Sequence, residues 1–395
     1  MSSLTRAGWS LLMGALAMVI VGRMLGLPEL YMLAAIAAAV VAIAQISVRR
    51  PPPHLMVERE VRPRRIHLGE PCRVELQIEN AGLRRTPVLS LHDPVAGTVG
   101  ATLSLAPLDP GGHRSAGYRL PTERRGVLRI GPLDARRVDP FGLASRHHQL
   151  AGVSDLTILP AIEALDGGSA GGGLDDPIAG LAHHMLGRPG DEDFSSLRPY
   201  VVGDDLRRVH WASTARTGEL LVRQDDPPWQ GHLTVVLDAR SNRIDPEAFE
   251  MAVSAAASLI HAVALRGDRA RLVITDGTDS GLTDARANQE LLLEHLAVVD
   301  RHQGARLPVP SADRRTRKGR LVLMTGLVKP DDLARIAHLG HRFATTRVVV
   351  FHSSESDQGA ATAHAVDGVE TLHVSPRSPF PVVWARHRSR AGALR

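Results

Sequence analysis

Two apolar runs stand side by side at the start of the chain and set its first structural constraint. Leu30 to Val48 is a stretch of nineteen residues interrupted only by Gln45 and Ser47 near its end. As a helix rising about 1.5 Å per residue, it covers roughly 30 Å, the thickness of a bilayer's hydrocarbon core. Before it, Trp9 to Leu27 is apolar apart from Ser10 and Arg23, and Arg23 lies close enough to the end to snorkel to the interface. Gly26-Leu27-Pro28-Glu29 reads as a tight turn. The expectation for residues 1–50 is therefore a transmembrane hairpin, with helices over about 9–27 and 30–48. A cleaved signal sequence is the rival reading, but no Ala-x-Ala type site follows the first run and a second run comes directly after it. Arg49, Arg50, Arg59, Arg62, Arg64 and Arg65 follow the second helix, while the turn carries only Arg23 and Glu29. The positive-inside rule then places both termini, and the body after residue 50, in the cytoplasm.

The remaining residues change period twice. From 54 to 160 the chain reads as short strands. Val74-Glu75-Leu76-Gln77-Ile78-Glu79 alternates apolar and polar residues, as a strand with one wet face does. Val88 to Leu91, Ala101 to Leu105, His113 to Leu120 and Val127 to Ile130 repeat the theme between Gly, Pro, Asn and Asp. These argue for a small antiparallel β-sandwich, immunoglobulin-like in size but lacking the cysteine pair. Residues 161–189 contain the Gly-rich stretch Asp166 to Leu174 and read as a linker. Residues 190–228 are densely charged.

From 229 to 395, fully apolar strands alternate with helices. Strands are expected at Leu233–Asp238, Arg271–Asp276, Arg320–Gly326 and Arg347–Phe351, and helices over Phe249–Leu265, Asp284–Val299 and Asp331–Leu339. That pattern predicts a doubly wound α/β domain with a mostly parallel sheet. Ligands of such sheets bind at the carboxyl ends of the strands, where Asp238, Thr275, Asp276 and Thr325 fall.

Composition narrows the function classes. A net charge of +5 and a pI near 10.0 invite nucleic acid as a partner. The excess is spread out, however. Lys318 and Lys329 are the only lysines, and 3% aromatics is too few for base-stacking platforms, so no nucleic-acid role is expected. Cys72 is the single cysteine; it allows no internal disulfide and reads as a small buried hydrophobe in a strand. The chain has no Gly-x-x-x-x-Gly-Lys-Ser/Thr loop, no Gly-x-Ser-x-Gly elbow and no His-Glu-x-x-His. His147-His148 and His183-His184 have no partners at metal-ligand spacing and read as surface loop residues.

The charged region is where chemistry could sit. Within it, Arg198, Tyr200, Gly203, Asp204, Asp205, Arg207, Arg208, His210 and Trp211 crowd together, followed by Arg216, Gly218, Glu219 and Arg223. Interleaved arginines, carboxylates and aromatics form forked ion pairs, because a planar guanidinium matches both a carboxylate and an aromatic face. Asp204 or Asp205 with His210 could act as a general acid–base pair, which would make the chain a hydrolase-like enzyme of envelope metabolism. Arg198, Arg207 and Arg208 could instead hold an anionic ligand. The plainer expectation has Asp204-Asp205 capping a helix over Leu206–Trp211, with Trp211 packed beneath the arginines.

The von Willebrand type A domain places Asp-x-Ser-x-Ser after its first strand, where carboxylate and hydroxyl oxygens hold Mg²⁺. The matching segment here is Asp238-Ala239-Arg240-Ser241-Asn242. The aspartate is kept, but Arg240 and Asn242 stand at the serine positions, and a cation beside Arg240 is disfavoured unless that side chain swings away. A fold of this type without its metal is the expectation, leaving Mg²⁺ at Asp238 doubtful and no other cofactor implied.

The charged segment is similar to the defining motif of the domain of unknown function 58 family. The resemblance rests on Gly190 to Phe194, Arg198-Pro199-Tyr200, Gly203-Asp204-Asp205, Arg207-Arg208, His210-Trp211 and Ala215 to Arg223. Glu123-Arg124-Arg125-Gly126 and Asp139-Pro140-Phe141-Gly142-Leu143 also resemble that family, as does the order of parts along the chain. The resemblance implies a bacterial membrane protein of unknown activity, with a von Willebrand type A-like C-terminal domain. It also implies a protein partner such as a MoxR-type AAA+ ATPase. A membrane-anchored cytosolic scaffold or adaptor is the leading expectation, and an enzyme or an anion-binding module is the alternative.

Overall fold

The computed structural model describes residues 2–49, 54–165, 194–201, 209–225, 232–304, 307, 319–329, 332, 335–338, 343–354 and 369–393. The chain divides into two compact units, Met1–Leu159 and Pro160–Arg395.

In the first unit, a short strand β1 (Ser2–Leu4) precedes two helices, α1 (Arg6–Leu25) and α2 (Pro28–Arg49). Both are long and apolar enough to cross a membrane, with mean hydropathy 1.7 and 2.2 over their best windows. Each end has a local cause. The Thr5 hydroxyl accepts from the Gly8 N–H at the start of α1, and Gly26 ends that helix at φ 69°, a conformation glycine adopts without a Cβ penalty. Pro28 opens α2, Glu29 sits in its first turn and Arg49 in its last, an arrangement that complements the helix dipole. The turn is thus shorter than the four residues expected, because Pro28 and Glu29 are already helical.

The rest of this unit is built from strands β2 (Leu55–Arg62), β3 (Arg65–His67), β4 (Cys72–Asn80), β5 (Leu89–Asp93), β6 (Ala101–Leu105) and β7 (His113–Leu120). Strands β8 (Gly126–Ile130), β9 (Leu133–Val138), β10 (Ala144–Ala151) and β11 (Ser154–Leu159) complete it. They form three sheets, ordered β2-β4-β7, β1-β10-β9-β5-β6 and β3-β11-β8. Every pairing is antiparallel except β3 with β11. Alternation along β4 turns Cys72, Val74, Leu76 and Ile78 inward onto Leu89, Leu91, Ile130, Leu133 and Leu156. Cys72 is buried there, and burial pushes its thiol pKa up, away from reactivity. His147 and His148 lie in strand β10, opposite Arg136 and Ala135, and not in a loop as the sequence suggested. His183-His184 and the Gly-rich stretch lie outside the described residues.

The second unit contains a hairpin of β12 (Phe194–Pro199) with β13 (Leu221–Asp225), enclosing helix α3 (Trp211–Thr217). A six-stranded α/β sheet follows. Its strands are β14 (His232–Leu237), β15 (Arg269–Ile274), β16 (Thr283–Asp284), β17 (Arg320–Thr325), β18 (Thr345–Phe351) and β19 (Glu370–Val374). Helices α4 (Pro246–Arg266), α5 (Ala285–Val298) and α6 (Phe380–Ala393) accompany them. The order β16-β15-β14-β17-β18-β19 is the 3-2-1-4-5-6 arrangement of doubly wound sheets, parallel apart from the two-residue edge strand β16. Strands β14, β15 and β17 are buried along nearly their whole length, which is why they read as unbroken apolar runs. Although α4 is apolar enough to span a bilayer, it is 67% buried over its apolar window and packs as a core helix. The Ser254 and Ser258 hydroxyls on α4 bond to Ala161 and Glu163, tethering the start of residues 161–189.

Candidate functional site

The sheet reverses its winding between β14 and β17, and the residues just beyond those two strands close a buried charge cluster. Asp238 follows β14, and its N–H donates to the Met324 carbonyl of β17 at 2.8 Å. Its Oδ1 accepts from the Arg240 N–H at 3.1 Å and from Arg240 Nε at 2.8 Å. Its Oδ2 accepts from Arg240 Nη2 at 2.8 Å and from the Thr325 hydroxyl at 2.8 Å. The outer edge of the same guanidinium reaches Asp332, Nη1 to Oδ1 at 3.1 Å and Nη2 to Oδ2 at 3.2 Å. Arg243 Nε adds a further bond to Asp332 Oδ2 at 3.0 Å. Two arginines therefore face two aspartates, and the Arg240 side chain is 1% exposed.

Electrostatics follow from that geometry. Burial alone would lower the Arg240 pKa, but hydrogen bonds and charge from Asp238 and Asp332 outweigh it and raise it above the ordinary arginine value. Tight loops hold the cluster in register. The Thr275 hydroxyl accepts from the Ala239 N–H at 2.8 Å and lies 3.0 Å from His302 Nε2. His302 also bonds through its backbone, giving its N–H to Ala239 and accepting from Ser241. Glycine at 326 is required by close approach, since a Cβ there would stand 2.5 Å from the Arg243 carbonyl. Beside the cluster lies an open depression of about 510 Å³ lined by Ser241, Asn242, Gln303 and Gly304.

A cation ligand or a general base needs a lone pair facing an opening. Asp238 presents its oxygens to Arg240 and Thr325 instead. Of the four strand-end residues read from sequence, Asp238, Thr275 and Thr325 come together here. Asp276 does not; it is exposed and its Oδ1 caps a turn at the Thr278 N–H. Asp332, Arg243 and His302 were missed. Arg243 follows Arg240 by three residues in a tight turn and could have been suspected, but Asp332 enters from a later segment and no local spacing announces it.

The charged segment looks different from its expectation. Gly203, Asp204, Asp205, Arg207 and Arg208 lie outside the described residues. The backbones of Arg198 and Arg223 belong to the β12–β13 ladder, which pairs Arg198 with Val222 and Leu197 with Arg223. Helix α3 begins at Trp211, where the sequence had one ending. His210 supplies the N-cap: its Nδ1 accepts from the Ser213 N–H at 3.2 Å and lies 2.9 Å from the Ser213 hydroxyl. Trp211 is 63% exposed at the first position of this short helix. Tyr200 is half-buried and its N–H bonds to Leu220. Arg216 and Glu219 are exposed, and Gly218 ends α3 at φ 78°. Val209 bridges Val222 and the His210 N–H bonds to Leu221, so the described part of the segment folds back on itself as a hairpin with a helical insert.

Among solved structures, the chain is similar to the CARDB domain of PF1109 from Pyrococcus furiosus at 16% identity and TM-score 0.21, covering 27% of this chain and 95% of that one. It is also similar to residues 272–376 of a putative cell surface protein from Methanosarcina acetivorans, at 15% identity and TM-score 0.20 over 28% and 94% of the two chains. Likenesses this slight carry no argument about the whole fold. An uncharacterized protein of Bacillus subtilis (strain 168), YeaD, is 26% identical over 182 residues, which are 44% of this chain and 42% of that protein. The chain thus matches less than half the length of that curated relative. Residues 196–375, which hold all but the first two residues of the β12–β13 hairpin and the doubly wound sheet with its Asp238–Arg240 cluster, match the family described as protein of unknown function DUF58.

Proposed function

We propose that this chain is a membrane-anchored scaffold or adaptor whose α/β region docks a protein partner along the carboxyl edge of its sheet. The observation that carries this reading is the closure of Asp238 by Arg240 and Thr325. A carboxylate held this way is poorly suited to proton transfer, and a divalent cation does not fit beside it, since it would meet a fixed guanidinium within the same buried space. The 3-2-1-4-5-6 strand order, with aspartate after the first strand, supports a von Willebrand type A-like domain in which Arg240 takes the cation's position. Such an edge recognises a partner by shape and polar contact, with Ser241, Asn242 and Gln303 offering the exposed donors and acceptors.

The partner class implied by the family resemblance is a MoxR-type AAA+ ATPase, met on the cytoplasmic side of a bacterial plasma membrane, with both termini cytoplasmic. The hydrolase alternative is weakened because His210 Nδ1 is engaged in capping α3. Affinity purification of the full chain from detergent-solubilised membranes tests the proposal. Recovery of an AAA+ ATPase, abolished by Asn242→Arg or Gln303→Arg, is the expected result. Recovery of no ATPase overturns the partner assignment, and recovery unaffected by either variant overturns the docking edge.

A further inference from the structure

We propose that the Asp139–Leu143 turn of the first unit is a third membrane contact, with Phe141 inserted among the lipid headgroups at the open end of the helical hairpin. The proposal rests on reading α1 and α2 as membrane-spanning.

The turn is fastened to the hairpin itself. The Thr5 N–H donates to the Leu143 carbonyl at 2.9 Å, and the Thr5 hydroxyl donates to the Gly142 carbonyl. Gly8 lies so near that any Cβ there would collide with the Leu143 carbonyl. The Leu143 side chain is buried with Val41, Ala44 and Val48 of α2, and Leu11 and Leu12 of α1 pack against the same cluster. These contacts lie at the first turns of α1 and the last turns of α2, opposite the Gly26 end.

Length then fixes depth. With 20 residues, α1 is about 30 Å long, and the hydrocarbon core it must cross is about as thick. It has little length to spare outside the core, so the open end of the hairpin lies at the hydrocarbon boundary. Val41 stands eight residues before the end of α2 at Arg49, roughly 12 Å further in. A turn seated against Gly8 and Val41 is therefore at headgroup depth or below it.

The turn is built for that depth. Irregular backbone at the edge of hydrocarbon must satisfy its own polar groups. The buried Asp139 carboxylate accepts from the N–H groups of Phe141 and Ala144, and the Asp139 carbonyl accepts from Gly142. The Asp139 N–H donates to Ala144, and Thr5 holds the two carbonyls named above. At the tip, Phe141 leaves 67% of its surface uncovered by protein. Trp9, one turn into α1, is 55% exposed, and Arg6 and Arg49 are exposed at the two helix ends. Apolar and aromatic side chains beside these two arginines match the interface of a leaflet containing anionic lipid.

The test uses the full chain reconstituted in vesicles of phosphatidylcholine and phosphatidylglycerol. Added cysteines at Phe141→Cys, Val19→Cys and Val99→Cys carry an NBD fluorophore, and the wild-type chain serves as the labelling blank because Cys72 is 1% exposed. Lipids bearing a doxyl quencher near the headgroup or deep in the acyl chain report depth. At position 141, we expect quenching roughly twofold stronger from the shallow quencher than from the deep one, the depth at which interfacial segments sit. Position 19, mid-helix, should favour the deep quencher, and position 99, 91% exposed in the β5–β6 loop at the end of its sheet away from Ala144, should respond to neither. If position 19 is quenched and 141 behaves like 99, the proposal is overturned while the membrane reading stands. Failure of position 19 to quench removes both. A blue-shifted but unquenched label at 141 means protein covers it, which also overturns a lipid contact.

Discussion

Each unit of this molecule buries an arginine–aspartate cluster, and the two are wired differently. In the β-rich unit, Arg59 grips Asp93 with Nε and Nη2, at 3.1 and 2.6 Å. Its Nη1 goes to backbone, reaching the Gly152 carbonyl at 2.6 Å and the Ile130 carbonyl at 3.3 Å. The Tyr118 hydroxyl gives Asp93 another bond at 2.6 Å, and this raises the tyrosine's pKa together with burial, the larger cause. One charge of each sign is held among strands of different sheets. In the α/β unit, every side-chain bond from Arg240 goes to carboxylate, and two aspartates share it. The first cluster is surrounded by backbone and can only clasp. The second sits at strand ends beside an open depression, where doubly wound sheets place their ligands. Burial of an ion pair therefore says little about role; what the remaining donors reach says more.

The sharpest way to break this comparison is to remove one partner from each cluster. Asp93→Ala leaves the Arg59 guanidinium buried without its carboxylate and should cost about 3–5 kcal/mol, read as a large drop in the melting temperature of the detergent-solubilised chain. A wild-type melt would contradict the clasp. Arg240→Ala should cost a similar amount, yet it differs in kind. It leaves Asp238 and Asp332 on either side of an emptied space, with the Thr325 hydroxyl adjacent, a set of hard oxygen ligands suited to Mg²⁺. Saturating Mg²⁺ should then restore about 2.7 kcal/mol at a hundredfold excess over its dissociation constant, a rescue that neither wild type nor Asp93→Ala should display. If Mg²⁺ stabilises all three chains equally, Arg240 does not stand in a cation's place.

Hydroxyl deletions probe the same contrast more gently. Tyr118→Phe and Thr325→Val each remove one neutral donor to a buried carboxylate and should each cost about 1.5 kcal/mol. The Thr325→Val loss should shrink in an Arg240→Ala background containing Mg²⁺ if the ion takes over the neutralisation of Asp238. Additive losses in a double-mutant cycle would separate the hydroxyl from the cluster.

Much of this architecture was legible, and the exceptions have physical causes. Alternation from Val74 to Glu79 marked β4, since a half-buried strand must alternate, and the apolar runs at Leu233 and Arg320 marked strands buried on both faces. Strand β19 went unread because Glu370-Thr371-Leu372-His373-Val374 mixes polar residues into the edge of the sheet, where burial demands less. Site residues supplied by strand ends, Asp238 and Thr325, followed from topology alone. Asp332 did not, because a buried carboxylate on a later helix is defined only by the guanidinium it meets. Arg240 was read only as a reason against a cation at Asp238, with no role of its own. The chain uses it as the aspartate's partner, since a forked guanidinium satisfies both oxygens at once.

The smallest expected effect separates the two units by pH. His352 and His373 stack at 5.4 Å between ring centroids, with Nε2 of the first 3.1 Å from Nδ1 of the second. Burial lowers the His373 pKa below the ordinary value of about 6.5. The unfolded chain then takes up that proton first as the pH falls. Stability from this group is intact above about pH 6.5 and declines as the pH drops toward the lower folded value, by at most about 1.4 kcal/mol per pH unit for one proton. The β-rich unit has its own depressed histidine, His148, lowered by burial and then by Arg146, the chain terminus and Arg137. Substitution distinguishes them. His373→Gln should flatten the acid slope of the transition that unfolds the α/β unit and leave the other transition unchanged, while His148→Gln should do the reverse. Equal flattening of both transitions by either variant would mean that the two units unfold together.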